Sequence, residues 1–305
     1  MTKDAQFSDY PISTQLLQTL ASMGFQTPTP VQQRVFEVLL QKDSDIVGLA
    51  QTGTGKTAAF GIPLIEKIKK LQEEGLTDQI FSLVMCPTRE LAQQVAQQLT
   101  HLSAKSGVTV TTISGGASYQ QQRRDLQRMP SIVVATPGRL RDWIERGEID
   151  LSTVKFLILD EADEMLSMGF QEDLEFILSE TGSQSDRNTW LFSATMNQEV
   201  RGLSKKYLNN EVVVEVAASR GQTAEQVELE YFTVKEEDKM EALMRLLQFE
   251  SEFYGLIFAQ TRAEVSQLAD QLNAKGIPAS ALHGDLKQSD RERVLRKLKL
   301  KQITC

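Results

Sequence analysis

The 305-residue chain holds only two cysteines, Cys86 and Cys305, far apart and without a CxxC pair. A disulfide framework and a thiolate zinc site are both excluded on that ground. Histidine is equally scarce, and His283 has no second ligand at a spacing that would complete a metal site. Positive charge is not in excess: 33 Lys and Arg stand against 41 Asp and Glu, a formal net charge of −8. Nucleic-acid binding through bulk positive charge is excluded, so any such contact belongs to a local surface. No apolar run approaches the ~18 residues of a membrane span, and the first ten residues lack the apolar stretch of a secretory signal. The expected setting is a reducing cytosol, with no membrane partner. What is present is ordinary globular composition, 41% hydrophobic and 24% charged, which rules out a disordered or collagen-like chain.

Short apolar runs recur at residues 46–50, 82–86, 108–113, 132–135, 156–159, 189–192 and 212–216. They are rich in β-branched and aromatic types and continuous rather than alternating, as strands buried on both faces of a parallel sheet are. Between them apolar residues fall at helical spacing, as at Leu91, Val95, Leu99 and Leu102. This alternation predicts right-handed βαβ units and a doubly wound α/β domain over residues 1–218. The small, polar stretch around Gly221 predicts a linker at 219–226. Alternation resumes over 227–305, with strands expected at 227–234, 255–259 and 279–282 and helices near 239–248, 264–273 and from 288. Residues 303–305 look like the opening of another strand. Eighty-five residues remain after Arg220, below the common domain size of about 100–150, so the second α/β domain is expected to be cut short.

The most specific local signal is Ala50-Gln51-Thr52-Gly53-Thr54-Gly55-Lys56-Thr57, which has P-loop spacing with Ala in the first Gly position. It follows an apolar run and leads into an Ala-rich helix start. Its glycines let backbone N–H groups turn inward on a phosphate at a helix N-terminus, where the dipole also favours negative charge. Lys56 would neutralise the β- and γ-phosphates and Thr57 would sit on Mg²⁺. The competing reading is a Gly/Thr-rich turn with a solvated lysine. Asp160-Glu161-Ala162-Asp163 directly follows the run 156–159. There Asp160 fits the Mg²⁺ position and Glu161 is placed to orient and deprotonate an attacking water. Taken alone, both acids serve equally well to open a helix. Position favours the functional reading. Polar segments at 50–57, 87–91, 136–139, 160–163 and 193–195 follow five different runs, and open parallel sheets bind ligands at the carboxyl ends of their strands.

With these residues assembled, the chain resembles the DEAD-box ATP-dependent RNA helicases over nearly its whole length. The resemblance implies two RecA-like domains, the second here shortened, with ATP and Mg²⁺ as cofactors and RNA as partner. Phe7, seventeen residues before Gly24-Phe25, and the following Thr29-Pro30-Val31-Gln32 resemble the family's adenine-reading segment. That likeness implies Gln32 bonding the base with Phe7 stacking nearby. Pro87-Thr88-Arg89, Gly115-Gly116 and Thr136-Pro137-Gly138-Arg139 resemble its contacts to the RNA sugar–phosphate backbone, and Ser193-Ala194-Thr195 the link between nucleotide and RNA sites. In the second domain Arg262, Gly284 and Gln288 lie, by the same analogy, near the RNA backbone. Hydroxyls, glycines and arginines of this kind position a strand without reading its sequence. They also reconcile RNA binding with a negative chain, because only the rim has to be positive. The family's arginine-bearing last motif lies beyond residue 305. The resemblance therefore implies RNA remodelling driven by ATP, with an ATP-dependent RNA clamp of little turnover as the alternative for these 305 residues. A kinase or DNA translocase competes on the phosphate motif alone, and adenine selectivity through Gln32 argues against it. Target choice is expected to rest with partner proteins.

Overall fold

Each of the seven apolar runs becomes a strand, and every link between consecutive strands holds a helix or two. The computed structural model describes residues 5–51, 53–215, 228, 230–250 and 253–305. The strands are β1 (Ile46–Leu49), β2 (Ser82–Met85), β3 (Val110–Ile113), β4 (Ile132–Ala135), β5 (Phe156–Leu159), β6 (Asn188–Ser193) and β7 (Val212–Glu215). The helices of this part are α1 (Thr14–Ser22), α2 (Pro30–Leu39), α3 (Lys56–Glu73), α4 (Arg89–Leu102), α5 (Tyr119–Leu126), α6 (Pro137–Glu145), α7 (Ala162–Ser167), α8 (Gln171–Glu180) and α9 (Gln198–Tyr207). The chain divides into two compact units, residues 1–224 and 225–305. The expected linker at 219–226 lies outside the described residues.

The strands form one sheet in the order β3-β4-β2-β5-β6-β1-β7. Every pairing in it is parallel. Period-two alternation sends side chains to two cores. Val84, Ile132, Val134, Phe156, Ile158, Trp190 and Phe192 pack with α1–α4 on one face. Leu83, Met85, Val133, Leu157, Leu159 and Leu191 pack with α5–α9 on the other. Both sides of the central strands are therefore apolar, which is why their sequences run without alternation. Full burial stabilises by about 1.5–3 kcal/mol for each large side chain, so the central strands make a stiff platform beneath the loops they carry. β7 is an edge strand, and its Val212 and Val213 are exposed. Gly48 in β1 marks the closest approach in the platform, since a Cβ there would stand 2.6 Å from the Phe192 ring.

The second unit contains α10 (Lys239–Phe249), α11 (Arg262–Ala274) and α12 (Gln288–Lys299), close to the expected helices. Its expected strands are corrected by the structure: 255–259 and 279–282 form no strand, and neither do the described residues of 227–234. Residues 227 and 229 lie outside the described residues. The reason is a shortage of backbone partners. Gly255 donates to Thr304 O at 3.0 Å, Thr304 to Pro278 O at 2.8 Å and Ser280 to Cys305 O at 3.0 Å. These isolated bonds fall short of the continuous ladder that defines a strand. Beyond them, residues 256–259 and 279–282 wall an apolar cleft of about 240 Å³ floored by α11, and Phe258 is 89% exposed. The buried cluster of this unit is small, centred on Ala269, Leu272 and Ala279.

Candidate active site

Because all seven strands are parallel, the loops after their carboxyl ends share one rim. β1 hands over to the phosphate loop while its ladder continues through Ala50 N–H, which donates to Ser193 O at 3.1 Å. Gly53 and Gly55 take φ of +82° and +92°, the left-handed region open to glycine at little cost. Gly55 is the N-cap of α3 and brings no capping side chain, so the first-turn N–H groups are left for an anion. Thr54 Oγ1 closes the loop onto Gln51 O at 2.8 Å. Thr52 lies outside the described residues.

At the start of α3, Lys56 is 6% exposed, and its Nζ finds no partner among the described residues. Asp160, at the end of β5, is 3% exposed, and its Oδ1 is likewise without a partner. Burial pushes the Asp160 carboxyl up to about 6, against the opposing pull of the Lys56 ammonium. Two buried, opposite charges whose polar atoms lack partners are costly unless something polar comes between them. A metal–phosphate group would answer both, and Thr57 and Asp160 are the residues that could hold Mg²⁺ there. Among the described residues no cluster of three or more His, Cys, Asp or Glu would hold a metal alone. Mg²⁺ is commonly bound by one or two protein oxygens plus phosphates and water, so this sparse donor set fits it.

Glu161 caps α7 in the left-handed region at φ 54°, a conformation uncommon for a residue with a side chain. Asp163, one turn on, was not among the site residues the sequence suggested. Its Oδ2 accepts from Thr195 N–H at 3.0 Å and from Thr195 Oγ1 at 2.9 Å. Ser193 Oγ donates to Thr195 O at 2.7 Å. Burial raises the Asp163 carboxyl, but hydrogen bonds from the Thr195 and Ser193 side chains and the neighbouring backbone outweigh it and hold it below its ordinary value. The signal was present, since the second Asp of the motif lies three residues after the first. Only the pairing of β5 with β6 brings it to Thr195.

The adenine-segment residues sit against the phosphate loop. Gln32 is 1% exposed; its Oε1 accepts from Thr29 N–H at 3.0 Å and its Nε2 donates to Gly55 O at 3.2 Å. Thr29 Oγ1 donates to Thr54 O at 3.0 Å. Gln32 thus ties the segment to the loop. Phe7 is buried and packs edge-on against Phe25, with ring centroids 6.3 Å apart, and against Phe36. In this structure it anchors the segment to α2.

On the other half of the rim, Pro87 is buried and Thr88 caps α4, accepting from Leu91 N–H at 3.2 Å. Arg89 follows at the first position of the helix and reaches Gly115, while Gly116 is exposed at φ 78°. Thr136 is the N-cap of α6, with Pro137 buried, Gly138 exposed and Arg139 half-buried behind it. The strand order sorts these segments. Every residue expected on RNA in this unit follows β3, β4 or β2, which are neighbours. The phosphate loop, Asp160, Glu161 and Thr195 follow β1, β5 and β6, also neighbours, and Ser193 is the last residue of β6. In the second unit Arg262, at the start of α11, pairs with Asp285, which brings it to the exposed Gly284; Gln288 opens α12 and donates to Glu292 Oε1 at 3.1 Å. His283 faces Ser266 Oγ at 3.2 Å.

Residues 29–203 match the DEAD/DEAH box helicase family model, and residues 238–305 match the helicase conserved C-terminal domain. The chain is 41% identical over 293 residues to DEAD-box ATP-dependent RNA helicase CshA of Geobacillus kaustophilus, covering 96% of this chain and 61% of the relative. It is 40% identical over 297 residues to the probable ATP-dependent RNA helicase MJ0669 of Methanocaldococcus jannaschii, covering 97% of this chain and 77% of that one. Among solved structures, a DEAD box protein from the hyperthermophile Methanococcus jannaschii aligns over 98% of this chain and 78% of its own, with TM-score 0.64 and 39% identity. A single-residue variant of S. cerevisiae Dbp5, bound to RNA and ADP BeF3, aligns over 99% of this chain and 75% of its own, with TM-score 0.85 and 25% identity.

Proposed function

The chain belongs to the DEAD-box helicase family, and we propose that it acts as an ATP-dependent RNA helicase, coupling ATP binding and hydrolysis to local remodelling of RNA duplexes. Its fold is the RecA-like α/β fold of that family. The observation that supports the reading is the sorting of the motif loops along one rim: the P-loop and acidic segments lie at the ends of β5-β6-β1, and the segments expected on RNA at the ends of β3-β4-β2.

On the first half, the first-turn N–H groups of α3 and the Lys56 ammonium bind the triphosphate. Thr57 and Asp160 would hold Mg²⁺, which would supply neutralisation of the charge that builds on the phosphate oxygens. Glu161 orients a water against the γ-phosphorus and takes its proton as the bond to the ADP oxygen breaks. Gln32 reads the adenine while its second contact reports on the Gly55 carbonyl. On the second half, Thr88, Arg89, Gly115, Gly116, Thr136, Pro137, Gly138 and Arg139 hold a sugar–phosphate backbone. Asp163 follows β5, the strand beside the RNA half, and through its bonds to Thr195 it joins with Ser193 and Thr195 in carrying changes at the γ-phosphate across to the RNA. In the second unit, Arg262, Gly284 and Gln288 add backbone contacts.

RNA recognition of this kind is independent of sequence, so partner proteins choose the target. The described residues contain no helix long and apolar enough to cross a membrane, and both cysteines are free, which suits the cytosolic setting we propose.

The test is RNA-stimulated phosphate release and duplex separation by the parent, Lys56→Ala and Glu161→Gln proteins. Lys56→Ala should lose ATP affinity by at least tenfold, since a buried charged partner of phosphate is worth roughly 1.5–3 kcal/mol. Glu161→Gln should bind ATP as the parent does and retain RNA longer. Equal ATP affinity in Lys56→Ala and the parent would contradict the phosphate assignment. ATP-dependent RNA binding without turnover in the parent would assign these 305 residues the clamp role instead.

A further inference from the structure

We propose that Gln122, a residue outside both halves of the rim, is a positioning residue for RNA: it fixes the Gly115–Gly116 turn against which the Arg89 guanidinium lies. The inference rests on the RNA reading above.

Gln122 lies on α5, the helix that follows the turn, and is 3% exposed. Its Nε2 donates to Ser114 O at 2.8 Å, inside the protein. Ser114 is itself 3% exposed and is the last residue before the glycine pair. The far end of the turn is tied to the same helix, because Ser118 O accepts from Gln122 N–H at 3.1 Å. One side chain and its own backbone thus clamp both ends of the turn.

Gly115 then sets Arg89. A Cβ on Gly115 would stand 2.8 Å from Arg89 Nη2, 3.0 Å from Nε and 3.1 Å from Cζ. These distances pack the guanidinium directly against the glycine, where a side chain would leave it no room. Held beside the turn, its forked N–H groups are presented to phosphate oxygens, the bidentate contact in which arginine surpasses lysine. If Ser114 shifts, Gly115 shifts, and the fork of Arg89 turns away.

For stability the amide at this position cuts both ways. Among the described residues, no donor reaches the buried Oε1 of Gln122. An apolar side chain of similar size would remove that orphaned acceptor but leave Ser114 O without its donor, and the two effects offset each other in part. What the amide adds is the bond to Ser114.

The experiment titrates a single-stranded RNA oligonucleotide and, separately, ATP·Mg²⁺ against the full chain and its variants. In Gln122→Met, RNA affinity should fall about tenfold, the loss of one charge-assisted contact, while ATP affinity stays within about twofold. The slope of log K against log salt should become shallower by about 0.7, one phosphate contact to a single strand. On an Arg89→Ala background the same substitution should change RNA affinity by less than about twofold, because its effect passes through that arginine. Gly115→Ala pushes the guanidinium away from the other side, and should reproduce the tenfold loss should Gln122→Met fail to fold. Unchanged RNA affinity in Gln122→Met and Gly115→Ala overturns the proposal. So does a Gln122→Met loss that persists in full on Arg89→Ala, or one that ATP affinity shares. A parent chain without measurable RNA affinity would instead overturn the RNA reading, and the parent titration alone reveals that.

Discussion

Asp160 carries two demands that conflict until nucleotide arrives. Its carboxylate has to be ionised to hold a metal, yet burial drives the carboxyl up to about 6. The sign follows from linkage: a proton and the metal compete for the same oxygens, so metal binding releases the proton and weakens as pH falls through the raised value. Calorimetric titration of ATP·Mg²⁺ should show affinity flat above about pH 7 and falling by roughly tenfold per unit once well below pH 6. Flat affinity down to pH 4.5 would contradict the assignment of Asp160. Asp163 behaves oppositely. Its folded-state value lies below the ordinary 3.8, so its stabilising bonds to Thr195 are complete at neutral pH and lost as pH falls below that range. Neighbouring acids in one motif thus divide the work by environment.

At the scale of elements, the sheet was legible because burial on both faces leaves a plain mark, an unbroken apolar run. All seven runs of the first unit became strands, each within two residues at its ends. Chemistry at the strand ends was legible for the same reason, since Gly, Pro and Thr after an apolar run mark a turn. Two things were not. The strand order β3-β4-β2-β5-β6-β1-β7 leaves no trace in local sequence, so the sorting of motifs into halves and the contact of Asp163 with Thr195 emerge only in three dimensions. In the second unit, residues 255–259 read as a strand, but a run of β-formers becomes one only beside a full-length neighbour, and Thr304 supplies a single bond. The platform itself is testable at Gly48. Gly48→Ala forces a methyl into the Phe192 ring, which is itself buried against Phe60 with centroids 5.3 Å apart. Urea unfolding should register a loss of about 1–3 kcal/mol, the usual range for overpacking. Unchanged stability would mean the ring gives way and the platform is softer than described.

On the scale of the whole molecule, the net charge of −8 is compatible with the proposed RNA binding, because only one rim has to be positive. Arg89 and Arg139 lie on it, while many acidic side chains elsewhere are spent in surface ion pairs, such as Glu145 and Asp173 with Arg141. The chain spans 61% of the length of the CshA relative, so turnover in these 305 residues is a separate question from ligand binding. Binding is where the account is most exposed. If the two halves of the rim communicate through Asp163, Ser193 and Thr195, each ligand tightens the other by the same factor. The direct measurement is the fluorescence anisotropy of a labelled single-stranded RNA titrated with the chain, with and without a non-hydrolysable ATP analogue and Mg²⁺. A coupling of typical size predicts an affinity about 5–150 times tighter with the analogue present, and no such gain in Lys56→Ala. Identical RNA affinity with and without saturating analogue would contradict it.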